Sequence, residues 1–379
     1  MKRLAIVALS ALLGACASND AIDLEPAELV DFDESVKLEA LWSEDVGAGQ
    51  DVRYTRLVPA IAGDRIFATD IEGNVLALNR YDGKEIWEVE LDTPISGGVG
   101  AGYGLVLVGT FDGEVIALDQ NDGSVRWRVQ LSSEVLSAPQ SNGDIVAVQT
   151  LDGRLYGLEA ASGEKRWSYD NSLPVLTLRG TGTPVVTETT VFAGFATGKV
   201  LAVESRTGLL QWEQRVAVAQ GRSELERVID IDGAPLLVGD ILYAGSYQGR
   251  LVALNRGNGR GIWAEESSTY NSLAAGHGNV YLSSAEDKVF AYQAGSGQVM
   301  WSNEQLLRRK ITAPQTFGTY VAVADDEGYL HVMSQDDGRF VARKKIDGDG
   351  VRSAMISDGE VLYVMGNSGE LVAIKVEEK

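Results

Sequence analysis

Short apolar runs alternate with glycine-containing turns along almost the whole chain. In one stretch Leu105-Val106-Leu107-Val108 leads to Asp112-Gly113, and Glu114-Val115-Ile116-Ala117-Leu118 follows. Asn121-Asp122-Gly123 then precedes a more polar run through Trp127 to Leu131. β-Branched and apolar residues of this kind suit strands. Asp-Gly pairs supply the positive φ that tight hairpins need. The pattern predicts antiparallel strands and almost no helix.

The same register recurs down the chain as G-x-φ-φ-A-φ-x-x-x-x-G-x-x-x-W, with φ apolar. Its first glycine is Gly73, Gly113, Gly153, Gly198, Gly249, Gly328 and Gly369, with Asp287 in the sixth slot. Its second is Gly83, Gly123, Gly163, Gly208, Gly259, Gly297 and Gly338. The tryptophans are Trp87, Trp127, Trp167, Trp212, Trp263 and Trp301, with Ala342 in the seventh slot. A proline often opens the repeat, as at Pro59, Pro139, Pro184, Pro235 and Pro314. A period of roughly 40 residues in a β-rich chain marks a propeller, one four-stranded sheet per repeat.

The eighth copy, Gly369 to Ile374, reaches the C-terminus before its tryptophan slot, and Leu41-Trp42-Ser43 reads as the end of a repeat that never began. Pairing the two ends removes the open edges of a linear array. The expected fold is therefore all-β: an eight-bladed β-propeller over 38–379, closed by the N-terminal strand. One tryptophan per blade in fixed register implies packing between blades, where a large ring buries much area and its N–H needs one acceptor.

Ahead of the repeats, Lys2-Arg3 and the apolar run Leu4 to Leu13 have the anatomy of a secretory signal over 1–15. The run is too short to span a bilayer as a helix. Leu13-Gly14-Ala15-Cys16 resembles the bacterial lipobox, which implies lipid modification of Cys16 and a mature chain starting there. Cys16 is the sole cysteine, so no internal disulfide can form. Several acyl chains on one residue give stable membrane anchoring. Ala17 in place of aspartate implies, by resemblance to enteric lipoproteins, the outer membrane. Residues 16–37 carry seven acids and no base before Lys37, and read as a self-repelling, flexible tether. A formal net charge of −21 argues against nucleic acid as a partner.

Catalytic chemistry is sparse. The two histidines, His277 and His331, fall in different repeats, and no metal-ligand or nucleophile-triad signature is present. Each reads as a surface or strand residue. The Asp-Gly pairs are too short for calcium loops. The repeat itself, best seen from Gly113 through Gly123 to Trp127, resembles the pyrroloquinoline-quinone (PQQ)-like repeat, whose families include eight-bladed quinoprotein dehydrogenases. Those enzymes rely on a vicinal cysteine pair that this chain lacks. The expectation is no enzyme, no cofactor and no metal. A quinoprotein dehydrogenase and a ligand-binding periplasmic propeller are the alternatives.

Loop lengths point to a binding face. The link from an outer strand to the next inner strand is lengthened from Trp167 to Pro184 and from Trp212 to Pro235. Both flank the same blade, and links of one type share one face of a propeller. They hold Pro174-Val175-Leu176-Thr177-Leu178-Arg179-Gly180 and Glu224-Leu225-Glu226-Arg227-Val228-Ile229-Asp230-Ile231-Asp232. Apolar and charged side chains together make a plausible interface. Equally, the leucines could pack under their own loop with Arg179 paired to Asp230 or Asp232.

Lipobox, acidic tether, eight PQQ-like blades and the segments Leu-Thr-Leu-Arg-Gly and Asp-Ile-Asp together resemble the BamB family, lipoprotein subunits of the outer-membrane β-barrel assembly machinery. The seventh repeat, from Asp326 to His331 and from Asp337 to Ala342, is similar to that family as well. The resemblance implies a non-enzymatic scaffold facing the periplasm. It implies docking to the POTRA domains of BamA through Leu176, Leu178, Arg179, Asp230 and Asp232. It also implies association with the rest of the complex and contact with unfolded outer-membrane precursors, for which strand addition at a blade edge is one route.

Overall fold

The computed structural model describes residues 25–50, 55–174, 176–218, 222–223 and 225–378. It forms eight antiparallel sheets, the blades of a closed propeller. In chain order the first seven occupy 60–90, 95–130, 140–170, 185–215, 236–267, 274–303 and 315–345. Blade 8 combines 356–378 with the N-terminal strand Val36–Asp45, paired from Val36 with Glu378 to Asp45 with Glu370. A two-residue strand, Arg56–Leu57, adds parallel to Gly97 and Gly98 inside blade 2. The expected eight-bladed architecture and its N-terminal closure are present.

Each middle strand pair is buried along its length, whereas outer strands alternate exposed and buried residues around the tryptophan, as in Val125–Gln130. The apolar core lies between blades rather than within them. One cluster, for example, joins Val106, Val108 and Ile116 of blade 2 to Phe67, Val75 and Trp87 of blade 1.

The tryptophans complete these seams. Every outer strand carries a bulge just before the tryptophan slot, and a bulge re-aims the side chain that follows it. Each indole N–H donates to a backbone carbonyl of the next blade: Trp42 to Arg80, Trp87 to Gln120, Trp127 to Ala160, Trp167 to Ser205, Trp212 to Arg256, Trp263 to Ala294 and Trp301 to Gln335, at 2.8–3.2 Å. Each ring lies on the second glycine of that next blade.

This geometry explains Ala342. A tryptophan there would need the turn between the third and fourth strands of blade 8. That turn does not exist, because those strands are the two ends of the chain. Val36 and Leu38 fill the seam with Ala342 instead.

The signal segment and Cys16 lie outside the described residues. The expected tether over 16–37 is corrected from residue 25 onward: this part is a strap on the propeller, and the closing strand begins at Val36. The Ala27 amide donates to Leu307 and the Ser35 amide to Val341. Leu29 and Phe32 pack into the seam of blades 6 and 7. Arg308, Arg309 and Arg343 donate to the carbonyls of Glu25, Ala27 and Val30. Composition suggested a solvated chain, but two apolar anchors and three guanidinium donors outweigh charge repulsion in this stretch.

Behind the strap, His331 is fully buried in its strand. Its Nδ1 accepts from Arg343 at 3.0 Å, and its Nε2 is 2.9 Å from Asp325. Burial pushes the imidazole below the usual histidine range, against the pull of Asp325. His277 is half exposed on a turn.

Candidate docking surface

The two long links, 171–184 and 216–235, meet on one face beside blade 4. The second is pinned from below. Val228, Ile229 and Ile231 are buried, and Ile231 lies directly over Gly194 of blade 4, where a Cβ would come within 2.4 Å of it. The Tyr247 amide donates to the Asp230 carbonyl at 2.8 Å, fastening the link to blade 5. The four consecutive residues Val228 to Ile231 are thus all buried, Asp230 among them.

Asp230 joins the links to each other. The residue is 1% exposed, and its Oδ2 accepts the Leu178 amide at 2.5 Å. Burial, with Asp232 adding repulsion, pushes the Asp230 carboxyl up to about 8; the Leu178 N–H pulls the other way. Gly180 allows the close approach, since a Cβ there would lie 2.9 Å from the Asp232 carboxyl carbon. Asp230 is therefore a buried brace, holding Leu178 and its neighbours in place.

Above this brace the first link presents Leu176, 40% exposed, and Arg179, with Leu178 half-buried between them. The ion pair of Arg179 is with Glu134 Oε1 at 2.5 Å, on the link between blades 2 and 3. The alternative of pairing with Asp230 or Asp232 gives way to this one because the guanidinium reaches across the face, away from the brace. The leucines do not tuck fully under their own loop.

Further exposed apolar residues extend the surface. Leu225 is 72% exposed on a single 3-10 turn, Leu225–Arg227, and Val218 and Leu173 are also exposed. A reciprocal cap holds the turn: the Glu226 amide donates to Ser223 Oγ, and the Arg222 and Ser223 amides donate to the Glu226 carboxylate. Sequence reasoning placed Leu225 in the long link without selecting it, and missed Glu134. The Ser-x-x-Glu signature was the available signal for the turn. Nothing local marks Glu134, whose role depends on a contact across the ring face.

The pair of loops offers leucines, a guanidinium and carboxylates on a rigid base, with no arrangement resembling a nucleophile and base among the described residues. A family model described as "Outer membrane protein assembly factor BamB" matches residues 28–94 and 72–303. The chain is 56% identical over 375 residues to "Outer membrane protein assembly factor BamB" of Pseudomonas aeruginosa strain PAO1, covering 99% of each. The chain belongs to the BamB family. It is also 36% identical over 343 residues to the BamB of Escherichia coli K12, covering 88% of each. Among solved structures, BamB from Moraxella catarrhalis superposes with a TM-score of 0.82 at 30% identity, over 89% of this chain and 100% of that one. A quinohemoprotein alcohol dehydrogenase from Pseudomonas putida HK5 gives a TM-score of 0.71 at 13% identity, over 90% of this chain and 76% of its own. That likeness shows the propeller fold alone.

Proposed function

We propose that this BamB-family chain is a non-enzymatic scaffold of outer-membrane protein assembly that docks to the periplasmic POTRA domains of BamA through its paired links. The observation that carries the reading is the brace from Asp230 to the Leu178 amide, which holds Leu176 and Arg179 outward in one geometry. A preorganised apolar and cationic patch loses little conformational entropy on binding. In this reading Leu176 and Leu225 supply apolar anchors, and Arg179 exchanges part of its contact with Glu134 for an acidic partner group. Cys16 carries the lipid anchor and holds the propeller at the periplasmic side of the outer membrane.

The test is calorimetric binding of the protein to the BamA POTRA domains, beside Arg179→Glu. The variant is expected to lose about 2–5 kcal/mol of binding, the usual cost of leaving an interfacial charge unpaired, while its tryptophan fluorescence stays native. Unchanged affinity in the variant moves the interface elsewhere, and no binding by the wild type removes the docking role. For the anchor, Cys16→Ser is expected to abolish palmitate incorporation and release the protein from membranes.

A further inference from the structure

The propeller axis holds a cavity of about 420 Å³ beside the two long links, lined by residues of blades 1, 2, 3, 7 and 8 and of the links that lead into blades 4, 5 and 6. A smaller one of about 140 Å³ shares Asn271 and Arg352 with it. Much of the larger wall is aliphatic, including Val58, Ile61, Val99, Leu136, Leu273 and Met355.

The polar part of the wall is unusual. Among the described residues, eight buried side-chain nitrogen or oxygen atoms have no hydrogen-bond partner. Four of them belong to residues that line these cavities and lie just behind the wall: Ser137 Oγ, Thr181 Oγ1 and Arg352 Nε at the larger, Thr55 Oγ1 and the same Arg352 Nε at the smaller. Ser137 is 7% exposed and Thr55 3%. Buried polar groups are nearly always paired, and leaving one unmade costs free energy. Such groups just behind the walls of two adjoining cavities are spare partners for a polar guest.

Charge specifies the guest. Arg179, Arg352 and Asp232 are the charged residues of the larger wall. Arg179 is engaged by Glu134, and Asp232 has a contact of its own. Arg352 makes no hydrogen bond or ion pair among the described residues. A guanidinium recognises a carboxylate through paired N–H donors, and hydroxyls can donate to the same oxygens.

We propose that the axial cavity binds a small organic acid, its carboxylate held by Arg352, with the Ser137 and Thr181 hydroxyls turning out of the wall to meet it, and its short apolar body against the aliphatic wall. This site is separate from the docking reading and stands or falls independently of it.

The experiment is calorimetric titration of the purified full-length protein, dialysed free of organic acids, with 4-methylpentanoate. Parallel titrations use 4-methylpentanamide and inorganic phosphate. The expected result is saturable binding of the carboxylate, weakened at least tenfold with the amide and with Arg352→Gln. Ser137→Ala, which removes one oxygen, is expected to weaken it as well, and serves as the test if Arg352→Gln does not fold. Equal binding of carboxylate and amide, equal binding by wild type and Arg352→Gln, preference for phosphate, or no saturable binding would each overturn the proposal. POTRA binding measured on the same preparation separates failure of this site from failure of the docking reading.

Discussion

Trp301 donates its indole N–H to the Gln335 carbonyl at 2.9 Å, across the seam between blades 6 and 7. The same ring covers Gly338, where a Cβ would come within 2.4 Å of it. One residue thus supplies the apolar filling and the polar tie, and the glycine of the next blade admits both. The arrangement repeats for every tryptophan, so the ring is held by seven equivalent joints and one of a different kind.

Gly338→Ala should damage such a joint twice. Gly338 has φ +72°, a conformation that costs an ordinary residue about 1–2 kcal/mol, and its new methyl would strike the Trp301 ring. Gly278 is the control, with φ +76° and nothing within 4 Å of a Cβ. In urea denaturation Gly338→Ala is expected to lose clearly more stability than Gly278→Ala. Equal losses would mean that the ring moves aside freely.

The eighth joint gives a less intuitive expectation. Ala342→Trp restores the repeat pattern, yet it should destabilise the protein. The position is 1% exposed and packed with Val36 and Leu38, and no turn in blade 8 offers a glycine or a carbonyl in the required place. Overpacking of this kind costs roughly 1–3 kcal/mol. A raised melting temperature in the variant would contradict the account of the missing tryptophan.

The blades were legible because turn geometry and inter-blade packing both force residue identity: Gly113 must take φ +81°, and Trp127 must find a carbonyl in the next blade. The two lengthened links were legible from their residue counts alone. The strap was not, because Leu29 and Phe32 are scattered among acids, and the ring partners of Phe32, Phe340 and Arg343, come from the far end of the chain. Arg179 with Glu134 was hidden for the same reason. Contacts across a closed ring leave no local pattern on either partner.

The strap depends on a buried charge network that should be sensitive to one substitution. Arg309 pairs with Asp325 at 2.7 Å, their side chains 3% and 0% exposed, and also donates to the Ala27 carbonyl. Arg309→Met removes the cation and strands the Asp325 carboxylate beside His331. Breaking a buried pair from one side costs about 3–5 kcal/mol. Hydrogen exchange should show the Ala27 and Ser35 amides, which donate to blade carbonyls, losing protection well before the core strands of blade 3. Unchanged protection would show that Leu29 and Phe32 suffice to hold the strap.

The brace between the two long links carries its own pH signature. The folded Asp230 carboxyl is pushed up to about 8, from an ordinary value of 3.8. Between those values the folded protein binds a proton that the unfolded chain releases, so this group's contribution to stability falls as pH rises. The loss begins near the unfolded value and is complete above about 8, with a slope of at most about 1.4 kcal/mol per pH unit. Other groups titrate in the same range, so the informative quantity is wild type against Asp230→Asn, which keeps an oxygen for the Leu178 amide and cannot ionise. The stability of wild type relative to this variant, from urea denaturation at pH 5, 6, 7 and 8, is expected to decline steadily. POTRA affinity should weaken over the same interval in wild type alone, because an ionised Asp230 beside Asp232 loosens the link that presents Leu176 and Arg179. A flat difference in stability would show that Asp230 stays ionised in its buried position, and the brace would then be an ordinary charge-assisted hydrogen bond.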